Sequence, residues 1–169
     1  MAAGGAGGAG GAGGAGAALP GLPSLDEVKR RVAAVANEGV RGALQELQNA
    51  SGAELKLYRR LGEATGAEWQ LCGWLLAYNT VVQNLSLSYN DIGPDGAEHI
   101  AKSLNHNTTL RELNLDDNDI GDEGAEHIAE SLKHNNTLQT LDLYGNRIGD
   151  TGASHIAESL KHNTTLVEL

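Results

Sequence analysis

Apolar residues recur along the second half of the chain in a frame that repeats every 28 residues. The frame reads L-x-x-L-x-L-x-x-N-x-I and begins at Val82, Leu110 and Leu138, with valine replacing the first leucine in the earliest copy. Within it, Leu113 and Leu115 show the two-residue period of a short strand that buries one face. The asparagine comes where the chain must turn away from that strand, and its amide can satisfy the backbone groups of the turn. Each copy therefore predicts a strand followed by a tight turn.

A helix is predicted after each turn. In the run GAEHIAESL, the apolar residues Ala125, Ile128, Ala129 and Leu132 fall at i, i+3, i+4 and i+7, which is one stripe of a helix. A single strand–helix unit cannot bury its own apolar face, whereas stacked units share a continuous core. Helices are wider than the spacing between strands, so the stack must curve. The pattern predicts an α/β solenoid with a curved parallel sheet inside and helices outside.

The frame and the helical half N-x-I-G-D-E-G-A-E-H-I-A-E-S-L together resemble the ribonuclease-inhibitor-like class of leucine-rich repeats. This class includes the repeat domains of NOD-like receptors and of the GTPase activator for Ran. The resemblance covers about residues 79–169 and implies a protein that binds other proteins.

Three regions are predicted along the chain. Residues 1–23, rich in alanine and glycine, have almost nothing to bury and are expected to form a disordered tail. Residues 24–65 are expected to form an N-terminal helical cap, with a helix from about residue 25 to 48 that begins at the capping box Ser24–Glu27. Residues 66–169 are expected to be the repeats. The first of these is diverged and carries Trp69, Trp74 and Tyr78. The last is incomplete at Leu169.

Residues 51–63 have two interpretations. The run SGAE at Ser51–Glu54 is typical of a helix start, with Leu55, Tyr58 and Leu61 on one side. The segment LQNASGAELKL also matches LNHNTTLRELNL in outline, which would make ELKL a degenerate repeat strand. The capping pattern favours the helix.

Charge is distributed unevenly along the chain. Residues 1–80 carry seven acids and seven bases, whereas residues 81–169 carry fifteen acids and five bases, so the second half accounts for the whole net charge of −10. Such a surface repels nucleic acids and anionic membranes and suits a basic protein partner. The single cysteine, Cys72, excludes an internal disulfide and indicates the cytoplasm, with the nucleus as the alternative.

The sequence carries no pattern that predicts catalysis or a cofactor. No phosphate-binding loop G-x-x-x-x-G-K-[ST] and no G-x-S-x-G nucleophile motif occurs in it. Its six histidines lie seven residues apart within a unit, about 10 Å along a helix, which is too far for a shared zinc ion. We therefore expect no metal, no cofactor and no enzymatic activity.

The differences between two copies indicate a binding face. Residues 110–137 and 138–165 are identical at nineteen of 28 positions, and six of the nine changes fall on the strand and its exit. Because those side chains point away from the core, the inner wall of the arc is the surface that varies between copies. The predicted partner-binding residues are Asn84, Ser86, Ser88, Tyr89, Glu112, Asn114, Asp116, Asp117, Thr140, Asp142 and Tyr144.

The predicted function is that of a non-enzymatic intracellular scaffold that binds a basic protein partner through its concave acidic face. The resemblance leaves two alternatives, a small-GTPase activator or regulator of the Ran activator type and a fragment of a NOD-like-receptor-type sensor. A fourth repeat frame begins at Leu166 and stops at Leu169, which would leave an apolar side and a strand edge open. We therefore also expect self-association through this C-terminal end.

Overall fold

The computed structural model describes residues 18–169, and the greater part of the predicted tail, residues 1–17, lies outside the described residues. Six helices and four strands follow in chain order: α1 Leu25–Ala33, α2 Glu38–Gln48, β1 Glu54–Lys56, α3 Gly66–Tyr78, β2 Asn84–Ser86, α4 Gly93–Leu104, β3 Glu112–Asn114, α5 Gly121–Leu132, β4 Thr140–Asp142 and α6 Asp150–Leu160. No helix within residues 18–169 is long and apolar enough to cross a lipid bilayer.

The strands form one parallel sheet in the order β1-β2-β3-β4. The leucine at the centre of each strand pairs with that of the next, so Leu85 lies opposite Leu113 and Leu113 opposite Leu141. These three side chains are at most 2% exposed and face the helices. The α/β leucine-rich repeat solenoid expected from the frame is therefore confirmed.

The helices α3, α4, α5 and α6 pack side by side in chain order and form the second layer. The predicted stripe of α5 is buried, with Ala125, Ile128 and Leu132 fully inaccessible to solvent. Helix α3 packs against α4, as expected for the helix of a diverged first unit. At Gly73 the two helices approach so closely that an added Cβ would lie 2.6 Å from the carbonyl oxygen of His99.

A row of buried asparagines, Asn90, Asn118 and Asn146, holds the turns after the strands. The Nδ2 group of Asn118 donates to the carbonyl oxygens of Leu115, at 2.8 Å, and of Leu87 in the preceding unit, at 3.0 Å. Its Oδ1 accepts a hydrogen bond of 2.7 Å from the backbone N–H of Asn90. The turn asparagine therefore satisfies its own turn, as the sequence predicts, and also links its unit to the preceding one.

A second row of asparagines holds the chain before the strands: Asn79, Asn107, Asn135 and Asn163. Asn107 Nδ2 donates to the carbonyl oxygen of Leu76 in the preceding unit at 2.7 Å. Its Oδ1 accepts from the backbone N–H groups of Thr109 and Leu110. Both ends of β2, β3 and β4 are thus tied to the preceding unit by an amide side chain.

The predicted helix over residues 25–48 is two helices. Ser24 begins α1 as predicted, because its hydroxyl oxygen accepts a hydrogen bond from the N–H of Glu27. The chain then breaks after Ala33, and Asn37 starts α2 by accepting hydrogen bonds from the N–H groups of Gly39 and Val40. An asparagine that bonds the backbone locally competes with helix continuation. The apolar spacing runs on across the break, so periodicity alone does not reveal it.

The favoured helix over residues 51–63 is wrong, because Glu54–Lys56 forms strand β1. The N–H groups of Gln83 and Asn84 donate to the carbonyl oxygen of Ala53, and the N–H of Leu57 donates to that of Ser86. These hydrogen bonds to β2 outweigh the local capping pattern. That pattern reflects only residues 51–54 and carries no information about pairing with a neighbouring strand. The helical cap predicted for residues 24–65 therefore contains a strand, and the boundary at residue 66 falls inside the first repeat unit.

The last residues of the predicted tail make defined contacts with α3. The hydroxyl of Tyr78 accepts a hydrogen bond from the N–H of Leu19 at 3.0 Å and donates to the carbonyl oxygen of Pro23 at 2.8 Å. The prediction that the disordered tail extends to residue 23 is therefore wrong for residues 19–23.

Candidate functional site

The strand face carries a groove of about 310 Å³ that crosses all four strands. On each strand the central leucine points into the core and its two neighbours point outward, because side chains alternate along a strand. Six of the predicted binding residues line this strand-face groove: Asn84, Ser86, Glu112, Asn114, Thr140 and Asp142. The alternation that predicts the strands thus also brings these six side chains together.

The other five predicted residues lie at the carboxyl ends of the strands, outside the lining of the groove. Ser88 is only 8% exposed, and its hydroxyl lies 3.1 Å from that of Ser86. Tyr144 is 77% exposed. Asp116 is partly buried, and Tyr89 and Asp117 adopt left-handed backbone conformations at the turn that follows the strand. The eleven predicted residues therefore divide between a groove and its rim.

Hydrogen bonds fix the middle of the groove. Asn114 Nδ2 donates to Asp142 Oδ2 at 3.2 Å, and Asn114 Oδ1 accepts from the N–H of Asp116 at 3.1 Å. Asp142 Oδ1 accepts from the N–H of Tyr144 at 3.0 Å. These contacts orient the Asp142 carboxylate before any partner arrives.

Asp116 is the least satisfied carboxylate of this face. Its Oδ1 atom is shut off from solvent and has no hydrogen-bond partner among the described residues. Burial raises the pKa of Asp116, and the charges of Asp117 and Asp142 raise that pKa further. The fold thus holds a negative charge at a place where it is unfavourable.

Sequence analysis missed two residues that β1 adds to the groove. Glu54 and Lys56 lie on the outward face of β1 and form an exposed ion pair of 2.7 Å. Both residues were missed because a helix was predicted for this segment, and a helix would not place them on the sheet. The step Leu55-x-Leu57, which matches Leu85-x-Leu87 in the next unit, was the signal that could have found them.

An aromatic and arginine cluster was missed for the same reason. The guanidinium carbon of Arg59 lies 5.2 Å from the ring centroid of Tyr58 and 5.1 Å from that of Tyr89. The two rings meet edge to face with centroids 5.3 Å apart. A hydrogen bond to Asp117 and the charge of that carboxylate raise the pKa of the Tyr89 hydroxyl to about 12.

The described residues offer little for metal or thiol chemistry. Within residues 18–169, no three histidine, cysteine, aspartate or glutamate side chains are grouped closely enough to hold a metal ion. Cys72 is fully buried, and burial raises the pKa of its thiol to about 12. A thiol of that kind is unreactive, so Cys72 is a packing residue of α3.

The chain is similar to leucine-rich repeats and to solved structures that include one actin-binding site. A family model described as leucine-rich repeat matches residues 78–101, 106–129 and 134–157. The actin-binding site 2 of leiomodin-1 superposes with a TM-score of 0.68 at 29% identity, covering 79% of both chains. The tropomodulin C-terminal domain of Caenorhabditis elegans gives a TM-score of 0.65 at 13% identity, covering 76% of this chain and 80% of its own, and shows likeness of fold alone. No curated protein sequence matches the chain.

Proposed function

We propose that this chain, a leucine-rich repeat protein, is a non-enzymatic interaction module that binds a basic protein partner along its strand-face groove. The observation that carries the proposal is the carboxylate of Asp116. An isolated buried oxygen without a hydrogen bond lowers the free energy of unfolding, so a surface that keeps one has a use for it. A lysine or arginine side chain of a partner, placed next to the partly exposed Asp116 side chain, would offset the negative charge that burial and the neighbouring carboxylates make unfavourable.

The charge of the groove supports a basic partner. Glu112 and Asp142 in the groove and Asp116 on its rim take part in no ion pair among residues 18–169, whereas Lys56 is already paired with Glu54. Unpaired charges of one sign speed the encounter with an oppositely charged surface and exclude partners of the same sign. The groove crosses every strand, so an extended segment could contact all four units.

The groove can be tested with the combined variant Asp116→Asn, Asp142→Asn and Tyr144→Ala. Asparagine keeps the acceptor that Asp142 offers to the N–H of Tyr144, removes the charge and gives up the 3.2 Å hydrogen bond that Asp142 accepts from Asn114 Nδ2. Quantitative capture from a cell lysate should recover at least one partner whose affinity for the variant is about tenfold weaker, or about 1.4 kcal/mol.

The matched control is Glu123→Gln with Glu126→Gln, which also removes two charges but does so on exposed positions of α5. Partner capture by this control should equal that of the original chain. A stably folded groove variant that captures every partner at full strength would reject the groove as the contact surface.

Actin is a specific candidate for that partner. Its support is the likeness to the leiomodin-1 actin-binding site 2, which spans most of both chains at 29% identity. Binding of fluorescently labelled actin monomers, measured by anisotropy against the original chain and the groove variant, tests it directly. Saturable binding that weakens in the groove variant supports actin, and no change in anisotropy at high micromolar chain concentration removes it as the candidate.

A further inference from the structure

The cluster of Tyr58, Arg59 and Tyr89 lies at the carboxyl ends of β1 and β2, next to the strand-face groove. Tyr58 is 48% exposed and Tyr89 38% exposed, and Arg59 is exposed between them. Tyrosine and arginine are the residue types most enriched among the few that dominate binding energy at protein interfaces. The cluster therefore has the composition of a contact region and is open to solvent.

Arg59 is held in place and yet has no charged partner. It forms no ion pair among residues 18–169, whereas Arg60 lies 3.0 Å from Glu46 and Arg147 lies 2.9 Å from Asp119. Stacking on two tyrosine rings restricts the arginine rotamers, so less side-chain freedom is lost when the guanidinium later binds an acceptor. The five N–H donors of its fork match the two oxygens of a carboxylate.

The backbone at this position favours glycine over arginine. Arg59 has φ 51° and Tyr89 has φ 57°, and the N–H of each donates to the strand-exit turn of the next unit. The corresponding residue of the last unit is Gly145, with φ 67°. A left-handed conformation is unfavourable for an L-residue that carries a side chain. Arginine is therefore kept here at a cost that glycine would avoid.

We propose that Arg59, clamped between Tyr58 and Tyr89, binds a carboxylate of the same protein partner that occupies the strand-face groove, an inference that rests on the proposed function. The clamp adjoins a depression of about 420 Å³ that Glu63, Asp91 and Asp117 also line. These three acids repel a uniformly acidic segment. The partner chemistry that fits both regions is a basic segment that carries one aspartate or glutamate.

A peptide library displayed on phage tests the clamp without knowledge of the natural partner. Selection on the full chain should enrich peptides rich in lysine or arginine that contain one acidic residue. Exchange of that residue for its amide should weaken binding to the original chain about tenfold. Arg59→Gly should weaken binding by the same factor, and Arg59→Lys should weaken it less, because lysine keeps the charge but loses the planar fork.

Two control measurements separate an effect on folding from a general effect of charge. Arg59→Gly should raise the urea midpoint slightly, since glycine accepts the positive φ, so a loss of binding cannot be ascribed to unfolding. Lys29→Ala removes another exposed positive charge, on α1, and should leave peptide binding unchanged.

The outcomes distinguish the clamp from the groove. Peptides that bind the original chain and Arg59→Gly equally, selected peptides without an acidic residue, or no selected peptide at all would each overturn the clamp. Peptides that lose binding on Asp116→Asn with Asp142→Asn but not on Arg59→Gly leave the groove standing and reject the clamp. Peptides with the reverse dependence would reject the groove and, because the clamp is proposed for the partner that occupies the groove, would overturn the clamp in this form as well.

Discussion

At the scale of single residues, asparagines and one aspartate show how far a sequence determines polar structure. The repeat frame predicts that Asn118 satisfies the turn, because a turn beside a buried strand must pair its backbone groups. It does not predict the burial of Asp116. That residue aligns with Ser88 and Tyr144, and although Asp117 follows it directly in the sequence, only the folded chain buries it and brings it near Asp142. Identity along the repeat reveals shared roles, whereas burial and part of the charge crowding depend on neighbours from other units.

Replacement of Asn118 by alanine should lower the free energy of unfolding by about 2–4 kcal/mol. The change leaves the buried N–H of Asn90 without an acceptor and removes one of the two hydrogen bonds that each of the carbonyl oxygens of Leu87 and Leu115 accepts from asparagine side chains. Urea unfolding followed by circular dichroism measures the loss. The control Asn136→Ala, at an exposed position, should change stability by less than about 0.5 kcal/mol. Equal midpoints for the two variants would contradict the structural role of Asn118.

Asp116→Asn should stabilise the fold at neutral pH. Because the folded-state pKa of Asp116 is raised, the folded chain binds more protons than the unfolded chain, and stability falls as pH rises from about 4 through that raised pKa. The advantage of the asparagine variant should therefore be present at pH 7 and vanish near pH 3. Urea midpoints of both proteins at the two pH values test the sign. An original chain that is the more stable at pH 7 would refute it.

At the scale of elements, the helices and strands from β2 onward follow from periodicity, and the earlier ones do so only in part. Strands β2, β3 and β4 share one repeat frame, so each strand prediction is supported by three copies of the pattern. Strand β1 is a single diverged copy. It lies 30 residues, not 28, before its partner strand β2, so that Leu55 pairs with Leu85. A search at a strict spacing of 28 passes over it. The clamp and two groove residues depend on this strand and were missed with it.

The close packing of α3 on α4 predicts the effect of enlarging Gly73. Gly73→Ala should lower the free energy of unfolding by about 1–3 kcal/mol, since the new methyl group would overlap the carbonyl oxygen of His99 and force the helices apart. Thermal melting against Gly66→Ala checks this, because a Cβ at Gly66 meets no atom within 4 Å. If Gly73→Ala melts at or above the temperature of Gly66→Ala, the contact between Gly73 of α3 and His99 of α4 does not exclude a methyl group.

At the scale of the whole molecule, charge and exposed apolar surface lie in different places. Unpaired acidic side chains lie on the strand face, whereas exposed apolar side chains lie on α6 and in the residues that follow it. Leu160 is 38% exposed although its counterpart Leu132 is fully buried, and Val167 is 86% exposed. The sequence indicates both features from the charge count and from the last frame. It does not indicate which partner either surface meets.

Self-association through the α6 face should appear as a concentration-dependent increase in the sedimentation coefficient. Leu160→Glu places a charge in that face and should keep the chain monomeric at the same concentrations. Glu126→Gln, on exposed surface of α5, is the control and should associate like the original chain. A chain that sediments as a monomer at all concentrations would rule out association through this face.

The bonds from Asn118 to Asn90 and from Asn146 to Asn118 each span 28 residues. Insertion of a complete 28-residue segment would give each such asparagine a new neighbour at the same spacing, so the array can lengthen by whole units and keep these bonds. A shorter insertion changes only the unit in which it falls, as the spacing of 30 residues between Leu55 and Leu85 illustrates. Chains that differ from this one by duplication of a repeat should therefore differ in length by about one unit for each copy.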